Sequence, residues 1–176
     1  MKVAFFKFLL TLMLNIIYQA STTQLVSADL IDDTCKKTDF SQLCSSTLRS
    51  DPRSATANVK QLANVVLEQT LINANATLVQ AEKLINQTID PDVKKTLNVC
   101  SGLYQSAIGS DIPDAIKSLD SENYENAIED VKAVGRDANG CEDAFSAAKV
   151  PSPLANNDKT LSQLGRIAEQ IIGILV

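Results

Sequence analysis

The chain has 176 residues, with 16 basic against 21 acidic side chains, four cysteines, and neither histidine nor tryptophan. Without histidine, the Ser-His-Asp and Cys-His arrangements and every histidine-based metal site are excluded. The acidic balance disfavours nucleic acid and anionic membrane surfaces, both of which call for basic patches.

Residues 1–28 read as a cleaved secretory signal peptide. Lys2 and Lys7 supply positive charge, the stretch from Phe8 to Ile17 is apolar, and Val26-Ser27-Ala28 puts compact residues at the −3 and −1 positions of a cleavage site. Asn15 and then Tyr18-Gln19 interrupt the run before it reaches the roughly 20 residues of a membrane span, so an anchor is the weaker reading. No other segment is apolar and long enough to span a bilayer. Removing 1–28 leaves 148 residues, one domain by length, and takes the net charge from −5 to −7. That charge favours solubility and would also suit a basic protein partner.

Cys35 and Cys44 stand close together, and Cys100 and Cys141 follow farther on. An even count behind a secretory signal indicates a disulfide framework. Four thiolates around zinc would need tight C-x₂₋₄-C pairs, and neither pair is that close. Four cysteines allow three connectivities, of which Cys35–Cys44 with Cys100–Cys141 is the simplest. The segment 29–50, with turn-prone Lys37-Thr38-Asp39 between its cysteines, is expected to form a short helical hairpin held by its own bridge, a rigid appendage.

From residue 51 to 176 the apolar spacing is helical. Leu67, Leu71, Ala74, Leu78, Ala81 and Ile85 alternate at steps of four and three, and Asp51-Pro52 is expected to open this helix. Asp90-Pro91 opens a second, with Val93, Leu97, Cys100, Tyr104 and Ala107 as its seam. Pro113 is expected to kink it, lacking the amide for the bond to residue 109. A third helix from about Ser121 carries Ala127, Val131, Val134, Ala138, Cys141, Phe145 and Ala148. After Pro151 and Pro153, Asn157 or Asp158 is expected to cap a fourth, with Leu161, Leu164, Ala168, Ile171 and Leu175 inward. The fold class is therefore all-α: an antiparallel four-helix bundle preceded by a disulfide-held helical hairpin. Asn75-Ala76-Thr77 and Asn86-Gln87-Thr88 are N-glycosylation sequons, each one position off the buried line.

No catalytic constellation emerges. Glu122 with Glu125, Glu129 with Asp130, and Glu142 with Asp143 are carboxylate pairs, but they sit between seam positions on helix exteriors, not across a cleft as a glycosidase requires. Gly135-Arg136-Asp137 lies within a helical pattern and makes no phosphate loop, and no EF-hand spacing occurs. No enzyme activity, metal or cofactor is expected. What remains is a rigid helical body acting through its surface.

At this point the residues resemble the plant invertase and pectin methylesterase inhibitors, from about Ile31 to the C-terminus. The resemblance rests on Thr34-Cys35-Lys36, Leu43-Cys44, Ser50-Asp51-Pro52-Arg53-Ser54, Leu97-Asn98-Val99-Cys100 followed by Tyr104, and Cys141-Glu142-Asp143-Ala144-Phe145, in that order and spacing. It implies disulfides Cys35–Cys44 and Cys100–Cys141, one inhibitor domain over 29–176, and secretion to the apoplast and cell wall, with the vacuole as the alternative. It also implies a one-to-one complex that occludes the active site of a secreted carbohydrate enzyme, with no nucleic acid or membrane as partner.

Two targets divide that family. Invertase inhibitors carry Pro-Lys-Phe at the start of the third helix, where this chain reads Tyr124-Glu125-Asn126; a tyrosine there is common among pectin methylesterase inhibitors. Those inhibitors often have a further cysteine where this chain has Leu164-Gly165-Arg166. That segment and Ile112-Pro113-Asp114-Ala115-Ile116 look more like the invertase side. The missing Pro-Lys-Phe weighs most, since it would make the contact itself, so pectin methylesterase is the expected target and acid invertase the alternative. Asn123, Tyr124, Glu125, Asn126, Glu129 and Asp130 are the expected partner-binding residues, with Tyr124 either the anchor or a core residue at the helix start. A secreted structural or storage bundle is the reading of another class, and it predicts no inhibition at all. A pro-region module would be fused to a catalytic domain.

Overall fold

The computed structural model describes residues 30–176, so the expected signal segment lies outside the described residues. Residues 30–35 (α1) and Ser41–Ser50 (α2) form a hairpin, and a 3₁₀ turn follows at Pro52–Thr56. The long helices are Val59–Gln87 (α3), Pro91–Ser106 (α4) continued through a π turn at Ala107–Asp111 into Ile112–Asp120 (α5), Tyr124–Ala148 (α6) and Ala155–Ile172 (α7). The described residues contain helices and no strand.

Local hydrogen bonding sets most boundaries. Asp90 caps α4, accepting from the amides of Asp92 and Val93, with Pro91 in the first turn where its missing N–H costs nothing. Asp51-Pro52 does not open the long helix as expected. Asp51 accepts from Arg53 N at 2.9 Å and opens only the 3₁₀ turn, after which Ala57 is extended. The long helix starts seven residues later, where Asn58 and Gln61 form a reciprocal capping box, at 2.9 Å and 2.8 Å. Asn58→Ala should therefore cost about 1 kcal/mol and lower the melting temperature by about 2–4 °C, measurable by calorimetry. At Pro113 the chain is carried through by the π turn, in which Ile112 N–H donates to Ala107 O five residues back. The wider turn takes up the residue that has no amide hydrogen to give.

The four arms are α3, α4 with α5, α6, and α7. α3 packs on α4 and α7, and α6 packs on the same two neighbours, so α3 and α6 are diagonal. Leu67, Ala74, Ala81, Leu97, Cys100, Tyr104, Val131, Val134, Ala138, Cys141, Phe145, Leu161, Ala168 and Ile171 are buried, as the seams require. Leu71, Leu78, Ile85, Val93, Ala148 and Leu175, however, are only half-buried, and on α3 Thr70 and Thr77 take the inward places expected for Leu71 and Leu78. The bundle of four antiparallel arms behind a hairpin is thus the observed fold. Cys35 joins Cys44 with Cα atoms 5.5 Å apart, and Cys100 joins Cys141 with Cα atoms 4.7 Å apart, tying α4 to α6.

The hairpin is not an appendage. Ile31, Cys35, Cys44 and Leu48 are buried in the same core as Leu62 and Val66 of α3, Leu119 of α5 and Ile171 of α7. Asp39 N donates to Gln170 Oε1 at 2.9 Å, and the Arg166 guanidinium donates to Asp39 Oδ2 at 3.0 Å, which fixes the hairpin turn to α7. Burying Ile31 and Leu48 at about 1.5–3 kcal/mol each, together with the Cys35–Cys44 bridge, explains why it folds inward.

Candidate partner-binding surface

The turn between α5 and α6 occupies the hairpin end of the bundle. Glu122 takes a left-handed backbone conformation, φ 60°, and Asn123 N donates to Ser118 O at 2.9 Å, reversing the chain in three residues. Asn123 then caps α6, its side-chain oxygen accepting from Asn126 N. This cap, not Ser121, is where the third bundle helix begins. Lys60 Nζ, at the start of α3, donates to Asp120 O at 3.0 Å and pairs with Glu122 at 3.4 Å, so the turn is held against the neighbouring helix.

Tyr124, the first residue of α6, is half-buried and packs against the hairpin-end core. It is neither a fully enclosed core residue nor a free anchor. Glu125, Asn126 and Glu129 are exposed on the outward arc of α6, as is Asn123 just ahead of it. Glu129 pairs with Lys132 at 2.7 Å, and this hydrogen bond holds its carboxyl below the usual range. Asp130 turns toward α5, where it accepts from Ser118 Oγ at 3.0 Å. A shallow depression of about 300 Å³ there is lined by Asp114, Lys117, Ser118, Ser121, Asn123 and Asp130. The six residues therefore share one end of one helix, four on its open face and two engaged with the body.

None of these carboxylates is paired across a cleft. Those whose acidity departs most from the ordinary lie elsewhere. Asn157 or Asp158 was expected to cap α7, yet α7 begins at Ala155, so both lie inside its first turn, and Asp158 is only 2 % exposed. Its carboxylate turns inward and accepts the hydroxyl hydrogen of Tyr104, whose oxygen also lies 3.2 Å from Cys141 Sγ. Carboxylate oxygens of Asp158 and Glu142 and that sulfur all lie within 4.8 Å of one another. Since Cys141 is in a disulfide, this trio has no thiolate to offer a metal. Burial first, then Glu142, pushes the Asp158 carboxyl up to about 8, although the Tyr104 hydroxyl pulls the other way. Burial also raises the Tyr104 phenol. Burial and the neighbouring Asp111 push Asp137 up to about 7. The sequence signal for the Tyr104–Asp158 pair was weak: a tyrosine on a seam and an acid four residues before Ser162, both consistent with other roles.

The profile of the family described as plant invertase/pectin methylesterase inhibitor matches residues 29–171. The chain is 33 % identical over 170 residues to the cell wall / vacuolar inhibitor of fructosidase 2 of Arabidopsis thaliana, covering 93 % of each. It is 33 % identical over 147 residues to a pectinesterase inhibitor of Actinidia deliciosa, covering 83 % of this chain and 79 % of that one. It is also similar to the crystal structure of a mutant form of a pectin methylesterase inhibitor from Arabidopsis, with a TM-score of 0.70 and 29 % identity over 81 % of this chain and 94 % of that chain. With its hairpin, bundle and two bridges in place, the chain belongs to the plant invertase/pectin methylesterase inhibitor family, and it is an inhibitor-family protein, not an enzyme.

Proposed function

We propose that this chain is a secreted inhibitor of pectin methylesterase, forming a one-to-one complex that covers the enzyme's active site at the cell wall. The observation that carries the reading is the start of α6, where Tyr124-Glu125-Asn126 offers a half-buried aromatic beside exposed polar side chains. A tyrosine whose inner edge is already packed has little freedom left to lose when its outer edge is covered, which suits an interface anchor. Such a complex buries about 1,200–2,000 Å² in total, more than the shallow depression beside Asp130 could supply, so the outward faces of several helices would take part. The likeness to pectin methylesterase inhibitor structures supports this reading. Secretion is supported by the character of residues 1–28, and no helix among the described residues is long and apolar enough to cross a membrane.

Acid invertase is the second reading, favoured by the 93 % mutual coverage with the fructosidase inhibitor. Titrating the purified protein against a pectin methylesterase and an acid invertase in parallel separates the two. Stoichiometric loss of esterase activity with invertase untouched is the expected result; the converse would sink the target while leaving the family intact. Tyr124→Ala should weaken the complex by about 1–2 kcal/mol, roughly 5- to 30-fold in Kd, and also lower the melting temperature because the ring is half-buried. Tyr124→Phe keeps the packing, so any loss of affinity it shows belongs to the hydroxyl. An Ala variant that melts early but binds undiminished would remove Tyr124 from the interface.

A further inference from the structure

Among the described residues, the large apolar side chains that stand exposed are Ile72, Val79, Ile89, Val99 and Val176. Single exposed apolar residues are ordinary and call for no explanation. Two of them, Ile72 and Val79, stand together on α3. Ile72 lies three residues before the sequon asparagine Asn75 and Val79 four after it, whereas Ile89, three after the second sequon asparagine Asn86, lies beyond the end of α3 at Gln87 and is not on its face. On a helix, positions three and four apart are neighbours on one face. Eleven residues separate Asn75 from Asn86, which at 3.6 residues per turn is close to three whole turns, so both project in nearly the same direction, about 16 Å apart along α3. Ile72 and Val79 are 60 % and 65 % exposed and lie within the same arc.

We propose that Asn75 and Asn86 carry N-glycans that lie over this apolar stripe of α3 and shield it from self-association. Both asparagines are exposed, so neither glycan would collide with the core. The Asn75 side-chain amide donates one hydrogen to Leu71 O at 2.8 Å, and linkage uses only one of its two hydrogens, so that bond survives. In the transfer, Nδ2 bonds to the anomeric carbon of a lipid-diphosphate-linked oligosaccharide. The anomeric C–O bond breaks, the amide gives up a proton and the lipid diphosphate leaves. The stripe also runs away from the start of α6: Asn86 lies 26 residues along α3 from Lys60, which touches the α5–α6 turn, a distance of about 39 Å. The inference rests on passage through the secretory route but not on which enzyme is inhibited.

The test secretes the full chain from plant cells and maps both sites by peptide mass before and after enzymatic deglycosylation. Asn75→Gln and Asn86→Gln are preferable to changing Thr77, which is buried and donates to Asn73 O. Both sites should be occupied. Trimming the folded protein, or the double Gln variant, should raise the fluorescence of an apolar-surface dye at least twofold and shift sedimentation toward dimers or larger species, with inhibitory strength unchanged. Deglycosylating the folded protein keeps the test valid if the variant fails to fold. Protein retained inside the cell, an unmodified Asn75, unchanged dye binding and sedimentation after trimming, or inhibition that improves when the glycans are removed would each overturn the proposal.

Discussion

Replacing Cys100 and Cys141 together by alanine should lower the unfolding free energy by about 2–5 kcal/mol, the range for a native disulfide in a small secreted domain. The chain-entropy argument gives about 3.9 kcal/mol for a loop of about 42 residues, against about 2.7 for the loop of about 10 closed by Cys35–Cys44. Both sulfurs of the longer bridge are buried, and Tyr104 Oη lies against Cys141 Sγ, so its removal also strips packing from the centre of the bundle. Alanine is the cleaner substitute, because serine would bury a hydroxyl in an apolar site. Urea unfolding of the double variant beside the parent measures the difference. A loss no greater than that from opening Cys35–Cys44 would mean that loop length is not what matters. Non-reducing peptide mapping checks the pairing itself; a link from Cys44 to Cys100 would be incompatible with a fold that places them in separate halves of the core.

Stability should also fall as the solution is taken from acid to mildly alkaline pH, by about 3–5 kcal/mol between pH 4 and 8, with Asp158 as the main source. The folded protein holds the Asp158 proton up to about pH 8, whereas an unfolded aspartate releases it near 3.9. Between those values the native state binds more protons, so the unfolding free energy decreases with rising pH: the contribution is full below pH 4 and gone above 8. Four units at about 1.4 kcal/mol each set the upper limit, and local relaxation reduces it. Asp137, raised to about 7 by burial and Asp111, acts in the same direction. Asp39, Asp51 and Glu129 are lowered first by hydrogen bonds with Gln170, Arg53 and Lys132 respectively, and their small opposing contribution is lost only as pH falls below about 4. Asp158→Asn copies the protonated acid, accepting from Tyr104 and offering a hydrogen toward Glu142. It should flatten most of the slope and raise stability at pH 8 while leaving that at pH 4 within about 1 kcal/mol. A variant with the parent's full pH slope would clear Asp158 of the effect.

The all-α class, most of the four seams, the cap at Asp90-Pro91 and the family resemblance were legible from residue order, although on α3 Thr70 and Thr77 are buried where Leu71 and Leu78 were expected. In each case the signal is local: a cap satisfies amides two or three residues away, and a seam repeats every three or four. Asp51-Pro52 shows the limit of such signals, since a capped proline start looks alike whether a 3₁₀ turn or a 29-residue helix follows. The hairpin's inward fold, the half-burial of Tyr124, the alignment of two sequons with an exposed stripe and the burial of Asp158 were decided by tertiary packing. Asp158 makes the reason plain. An acid beside a helix start is by local rules a cap, and only the Tyr104 hydroxyl, 54 residues away in sequence and on the diagonal arm of the bundle, makes its burial the favourable arrangement.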